Sequence, residues 1–350
     1  MTAGTTGIAR YVTQLDKALV DSGVELRRFA VGRGRHPAPA STRRFRVPLR
    51  VLQRTWKLLP FPRAEQIAGP ADVVHVTDAL PPPTRLPLVL TVHDLDALDR
   101  AELHGPRARS LQAEQLAAAR ERADEVIAIS AVTAAALQAR GVDGDRISVV
   151  HLALTELPVS DPRLVPTEPY LLAVGTVDAR KGLDVLIEAF GRARLDGVRL
   201  VIAGPDGHRA DDTRAAMAAA GVTDRVVLPG RVTDAELAAL YRGAMAYCLP
   251  SRAEGFGLPV LEAMAAGAPV IASDLPVVRE LVGDGAIFVE VGHVDAWATA
   301  LERLVADDAV RARLSSAGPS IASRYTWEAT ARATMKVYER AVAGQSGRRA

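Results

Sequence analysis

Leu249-Pro250-Ser251-Arg252-Ala253-Glu254-Gly255-Phe256-Gly257-Leu258-Pro259-Val260-Leu261-Glu262-Ala263-Met264 sets two carboxylates eight residues apart across a glycine-rich turn. The apolar run Met245-Ala246-Tyr247-Cys248-Leu249 leads into it and reads as a buried strand. Pro259 suits the first turn of a helix and Gly267 suits its stop. A second strand follows at Val270-Ile271-Ala272-Ser273. The unit is strand, loop, helix, strand. In a parallel sheet such a loop lies at the carboxyl end of its strand, where open α/β sheets bind ligands. Amides at Gly255, Phe256 and Gly257 can point at an anion, aided by the positive end of the helix dipole. Glu254 and Glu262 would repel that anion, so they are expected to accept hydrogen bonds from hydroxyl groups beside it. Phosphates together with many hydroxyls describe a nucleotide sugar.

The alternation continues in both directions. Toward the N-terminus, Ile8, Tyr11, Val12, Leu15 and Leu19 recur at helical spacing, which predicts a helix over 7–21. Strands are expected at Val24 to Val31, Val73 to Val76, Leu88 to Val92, Val126 to Ile129 and Ile147 to Val150, with helices at 107–123 and 131–140. Prolines at 158, 162, 166 and 169 mark a linker. Beyond it come strands at Tyr170 to Val174, Val198 to Ala203, Val226 to Leu228, Met245 to Leu249, Val270 to Ser273 and Ile287 to Val289. Helices at 182–193 and 234–242 separate some of these, and a last helix runs from Trp327 to about Val342. Repeated strand–helix alternation predicts parallel sheets covered by helices.

The 350 residues are enough for two domains with their own cores. A net charge of +2 implies no dedicated nucleic-acid binder. The single cysteine, Cys248, sits in an apolar strand and excludes an intrachain disulfide. There is neither a charged-then-apolar leader nor an 18-residue apolar run, so a cytoplasmic protein is expected. Residues 26–64 hold eleven bases and no acid. Within 43–63 the bases interleave with Trp56, Leu58, Leu59 and Phe61. The first reading is a loop and helix with a solvated basic face. The second is weak peripheral contact with anionic lipid at the inner face of the membrane, or with an anionic acceptor.

The string from Leu249 to Met264 resembles the donor-site signature of retaining glycosyltransferase family 4. That resemblance implies an α/β chain of GT-B fold, with two Rossmann-like doubly wound parallel-sheet domains facing across a cleft. It places an acceptor-side domain at 1–157, a linker at 158–168 and a nucleotide-sugar domain at 169–325, with a helix at 326–343 crossing back onto the first. The implied activity is transfer of a hexose from a nucleotide-diphosphate donor, such as GDP-mannose or a UDP-hexose, to a hydroxyl acceptor. The acceptor would be a lipid-linked or small molecule. Retention of anomeric configuration, no obligatory metal and no further cofactor are also implied.

Residue by residue, the resemblance gives Glu262 the ribose hydroxyls and Glu254 hydroxyls of the transferred sugar. Arg180 and Lys181, in Val174-Gly175-Thr176-Val177-Asp178-Ala179-Arg180-Lys181-Gly182, would contact the diphosphate. Many relatives carry one more arginine where Thr176 stands here. His93, in Thr91-Val92-His93-Asp94-Leu95, would support catalysis by hydrogen bonding. Donor contacts are implied at Gly4, Gly7, Gly175, Gly204, Val232, Gly255, Phe256, Gly257 and Leu258. Ser130 fits both a ligand-facing position and a helix N-cap. Asp94-Leu95-Asp96 mimics the acid-x-acid metal motif of the other glycosyltransferase fold and is read as a decoy.

The loop Gly4-Thr5-Thr6-Gly7 opens the first helix, yet only Met1-Thr2-Ala3 precede it. A doubly wound domain places a strand there. The expectation is that the reading frame starts late and lacks this inner strand. A donor-binding remnant with impaired catalysis and a GT-B nucleotide-sugar epimerase stay open as alternatives. A nicotinamide dehydrogenase is disfavoured, because no Gly-x-Gly-x-x-Gly follows a strand.

Overall fold

Val, Leu, Ile and Ala predominate in the strand candidates, the pattern of parallel strands buried on both faces. The computed structural model describes residues 7–31, 42–77, 80–159, 161–207 and 210–349. Gly4 lies outside the described residues. The strands in chain order are β1 (Phe29–Val31), β2 (Arg43–Phe45), β3 (Val74–Val76), β4 (Leu88–Val92), β5 (Glu125–Ala128), β6 (Ile147–Val149), β7 (Tyr170–Val174), β8 (Arg199–Ala203), β9 (Val226–Gly230), β10 (Ala246–Leu249), β11 (Val270–Ser273) and β12 (Ile287–Val289). The chain divides into two units, one of residues 152–326 and one of residues 7–151 with 327–349.

The unit 152–326 holds a six-stranded sheet in the order β12-β11-β10-β7-β8-β9, every pair parallel. From β7 the chain winds outward through β8 and β9. It then returns to the other side of β7 as β10 and winds outward again through β11 and β12. The order therefore reverses between β7 and β10. At such a switch point, beyond the carboxyl ends of the strands, open α/β sheets bind their ligands. Leu171, Leu186, Phe190, Leu200, Ile271 and Trp297 are among the residues of its main apolar core.

The other unit carries a four-stranded parallel sheet, β3-β4-β5-β6, and a separate parallel pair, β1-β2. Alternation along β4 and β5 decides which element covers each face. Leu88, Leu90, Val92, Val126 and Ala128 pack with Ala119 and Leu137. Val89 and Ile127 pack instead with Val337 and Ala341 of the helix Trp327–Arg349. That helix is tied down by Thr330 Oγ1 donating to the His151 carbonyl at 2.9 Å and by Arg340 pairing with Glu125 at 2.5 Å. The helix Gly7–Asp21 buries Tyr11, Leu15, Ala18 and Leu19, one stripe at 3.6-residue period. Each such leucine contributes about 1.5–3 kcal/mol through burial.

Several element bounds differ from the sequence expectation. Only Phe29–Val31 of the stretch Val24 to Val31 is a strand, because β2 pairs with those three residues alone. The basic region forms β2 and a helix at Leu49–Leu58. Its Leu58, Leu59 and Phe61 are largely exposed. The last helix continues past Val342 to Arg349. The helix expected from 182 begins at Leu183, after a 3₁₀ turn at Ala179–Lys181. No helix among the described residues is long and apolar enough to cross a membrane.

Candidate functional site

Two loops meet at the switch point of the six-stranded sheet. One follows β7 and carries Gly175 to Gly182; the other follows β10 and carries Pro250 to Gly257. The Arg252 amide donates to the Arg180 carbonyl at 2.9 Å. The Arg252 guanidinium donates to the Ala179 carbonyl at 2.8 Å and grips Asp184 through two bonds of 2.8 and 2.6 Å. Such a bidentate pair fixes geometry as well as charge. Gly182 makes the approach possible. Its φ is +60°, and a Cβ there would stand 2.2 Å from the Pro250 carbonyl oxygen.

Neighbouring loops are stitched in the same way. The Gly175 amide donates to Ala203, the Gly204 amide to Gly230 and the Val177 amide to Pro205, all at 2.8–2.9 Å. A Cβ on Gly204 would lie 1.9 Å from the Gly175 carbonyl oxygen. Gly175 and Gly204 are therefore in backbone contact at the ends of β7 and β8. Val232 lies two residues beyond β9 and is half-buried.

This packing brings Glu254 onto Arg180 and Lys181. Lys181 Nζ donates to Glu254 Oε1 at 2.6 Å, and Arg180 Nη1 reaches Oε2 at 3.3 Å. Ser251 Oγ donates to Oε1 at 2.6 Å, and Arg180 also donates to the Ala253 carbonyl at 2.8 Å. The Glu254 side chain is only 7% exposed. Burial by itself would raise its carboxyl, but the Lys181 and Arg180 cations overcome that and hold it down to about 2. For the Lys181 ammonium burial wins the other way and lowers it from its ordinary value, against the pull of Glu254. The cluster of two cations and one carboxylate keeps a surplus of one positive charge.

Glu262 sits in the first turns of the helix Leu258–Ala265, 6% exposed, and accepts a hydrogen bond from Tyr241 Oη at 3.1 Å. Gly257 caps that helix at φ +107°. Leu258 is half-buried, and Phe256 is buried with its ring edge-to-face on Tyr325 at 6.1 Å. Tyr247 of β10 is buried, and its hydroxyl has no hydrogen-bond partner. Burial raises its phenol well above the ordinary value, and the charges of Glu254 and Glu262 add to that rise. Sequence reasoning missed Tyr241, Tyr247 and the Arg252–Asp184 clamp. Ser251 lies in the quoted stretch but was given no role.

His93 belongs to the other unit, just past the end of β4. Its Nε2 donates to the Thr77 carbonyl at 2.8 Å, and its ring stands edge-on to Tyr11 at 5.1 Å. Nearby, His75 bonds to Tyr338 Oη through Nδ1 and to Thr91 Oγ1 through Nε2, both at 2.7 Å. Burial lowers both imidazoles, His75 to about 3. They are neutral when folded, whereas an unfolded chain protonates histidine near pH 6.5. The unfolded state therefore binds more protons between about pH 3 and 6.5, and stability falls as pH drops through that window. Urea titration is expected to show a lower midpoint near pH 5 than near pH 7, with a smaller difference in His75→Asn.

Ser130 is buried and caps the helix Ala131–Gln138, accepting from the Thr133 amide at 3.1 Å. Gly7 is the first residue of its helix and is exposed. Asp94 accepts from Gln112 Nε2 at 2.6 Å, and Asp96 pairs with His104 at 2.6 Å. Both acids are thus engaged in local structure. Among the described residues no group of three or more His, Cys, Asp or Glu is placed to hold a metal ion.

A profile described as Glycosyltransferase Family 4 matches residues 5–154, and one described as Glycosyl transferases group 1 matches residues 160–320. A D-inositol 3-phosphate glycosyltransferase of Xylanimonas cellulosilytica is 34% identical over 282 residues, covering 73% of this chain and 67% of that protein. The chain belongs to glycosyltransferase family 4. A second relative, a phosphatidyl-myo-inositol mannosyltransferase of Mycobacterium leprae, is 39% identical over 184 residues. There the match covers 51% of the family 4 chain and spans 47%, about half, of the relative. Among solved structures, sucrose-phosphate synthase from Thermosynechococcus elongatus is similar with a TM-score of 0.78 at 25% identity, over 97% of this chain and 94% of that one. The family 4 chain has the GT-B fold, built from Rossmann-like parallel-sheet units.

Proposed function

We propose that this protein is a glycosyltransferase that moves a hexose from a nucleotide diphosphate to a hydroxyl acceptor, retaining the anomeric configuration. The observation that carries the reading is the Arg180–Lys181–Glu254 cluster at the switch point. A diphosphate leaving group gains negative charge as the glycosidic bond breaks. Arg180 and Lys181 are held by Glu254, Ser251 and the Ala253 carbonyl, so they need little reorganisation to stabilise that charge. Their surplus positive charge and the start of the helix Leu258–Ala265 both favour an anion. Glu262 then takes the ribose hydroxyls, with Tyr241 fixing its carboxylate.

This assignment differs in one respect from the expectation for Glu254. Its carboxylate already accepts from Lys181, Arg180 and Ser251, so it orients those two cations and has one acceptor position left for a sugar hydroxyl. The protein's own work is positioning and charge stabilisation; the leaving phosphate accepts the acceptor's proton. His93, neutral with its Nε2 hydrogen committed to Thr77, has Nδ1 as its acceptor nitrogen, and we assign it a hydrogen-bonding role in turnover. Relatives are named for transfer to inositol 3-phosphate and to phosphatidyl-myo-inositol. We extend to this chain a hydroxyl acceptor of polyol type, lipid-linked or free.

Thermal-shift titration with GDP- and UDP-hexoses, followed by transfer and hydrolysis assays on the best binder, tests the reading. A true donor at a hundred times its dissociation constant adds about 2.7 kcal/mol to stability. Absence of any shift across the panel, with no sugar released, would overturn it.

A further inference from the structure

Tyr247 carries a hydroxyl that the unliganded fold does not use. The residue is 0% exposed. Register sets its ring: in β10 it stands beside Leu172 of β7 and Val270 of β11. Its chain neighbours Ala246 and Cys248 point the other way, into the main apolar core. The ring instead meets Tyr241 of the helix Asp234–Gly243 edge-to-face, with centroids 5.6 Å apart. Phenylalanine would supply all of that packing. The hydroxyl is buried without a hydrogen-bond partner, which costs stability, and folded proteins keep few such groups.

The neighbouring phenol is loosely engaged. Tyr241 Oη donates to Glu262 Oε2 at 3.1 Å, whereas a hydroxyl on a carboxylate ordinarily closes to about 2.5–2.7 Å. Burial raises the Tyr247 phenol, and the charges of Glu254 and Glu262 raise it further, so both carboxylates lie within electrostatic reach of it. The phenol therefore keeps its proton and can donate it to a hydrogen bond. A long bond and an unused donor thus sit on two rings in contact.

We propose that Tyr247 is a positioning residue for the donor: once a nucleotide is bound, its hydroxyl donates to the Glu262 carboxylate beside that of Tyr241, and the two phenols hold the carboxylate on the ribose hydroxyls. The inference rests on the ribose role given to Glu262 above. Hydrogen bonds that are long in an unliganded site shorten in the complex. The unpartnered hydroxyl is then satisfied only in the bound state, and that difference adds to nucleotide affinity. Tyr247 has no exposed surface, so it acts through Glu262 and touches no donor atom itself.

The test is calorimetric titration of the parent and Tyr247→Phe with UDP and GDP and with their 2′,3′-dideoxy counterparts. For whichever ribonucleotide the parent binds, the variant is expected to bind roughly tenfold more weakly. The dideoxy form offers Glu262 no hydroxyl and should bind both proteins equally. In a Glu262→Ala background, Tyr247→Phe should change ribonucleotide affinity no further. Without nucleotide, the variant's urea midpoint should equal or exceed the parent's, because only an unpartnered hydroxyl is removed. Equal losses for the ribose and dideoxy forms would show a distorted site rather than a ribose effect. Unchanged ribonucleotide affinity, or a lower midpoint without nucleotide, would show that the hydroxyl is satisfied elsewhere. Each of these results overturns the proposal. A parent that binds while the variant matches it ends this inference alone, whereas a parent that binds no nucleotide removes the donor site and the inference with it.

Discussion

Glu262→Gln is expected to lower kcat/KM for the donor by roughly ten- to a hundredfold while leaving Tm nearly unchanged. The carboxylate loses its charge, and with it charge-assisted hydrogen bonds to ribose worth about 1.5–3 kcal/mol. The amide oxygen still accepts from Tyr241, so the local structure persists. Glu262→Ala removes that acceptor too and takes one hydrogen bond from the buried Tyr241, adding a stability cost of about 0.5–1.5 kcal/mol. Comparing the two variants separates binding from folding. Full donor turnover by the glutamine variant would remove Glu262 from the site.

Lys181→Met should be the most damaging single change at the switch point. It deletes one of the cations that keep Glu254 ionised at 7% exposure. Removing one partner of a buried ion pair costs about 3–5 kcal/mol, and the low end applies because Arg180 and Ser251 remain. The penalty depends on pH in a definite sense. In the parent chain Glu254 is held down to about 2, below its unfolded value, so its contribution is present at neutral pH and fades as pH falls from about 5 toward 2. The variant's deficit should therefore be large near pH 7 and smaller near pH 4 in urea titrations. The double variant Lys181→Met, Glu254→Gln should recover part of the loss. An equal deficit at both pH values would show that packing alone was lost.

The legible parts of the fold were those where composition leaves one choice. β7, β11 and β12 run over the residues their apolar runs marked, because apolar and β-branched runs fit a largely buried parallel sheet. Val24 to Val31 also alternates, but a strand exists only where a neighbour pairs with it, and β2 reaches just three of its residues. In the site, Glu254, Glu262, Arg180 and Lys181 could be picked out because glycines and strand ends fix where loops go. Their mutual arrangement could not. The salt bridge of Lys181 to Glu254 joins residues 73 apart in the chain, and Tyr241 reaches Glu262 from a different helix. Such pairings depend on strand order, and strand order is written in no single stretch.

The helix Trp327–Arg349 belongs with residues 7–151, although 175 residues of the other unit intervene between 152 and 326. During synthesis, then, the unit that begins first finishes last. Until residues 327–349 emerge, Val89 and Ile127 have no cover on the face that Val337 and Ala341 occupy. All strands of the other unit precede residue 327, so its sheet is complete in the chain before that cover is made.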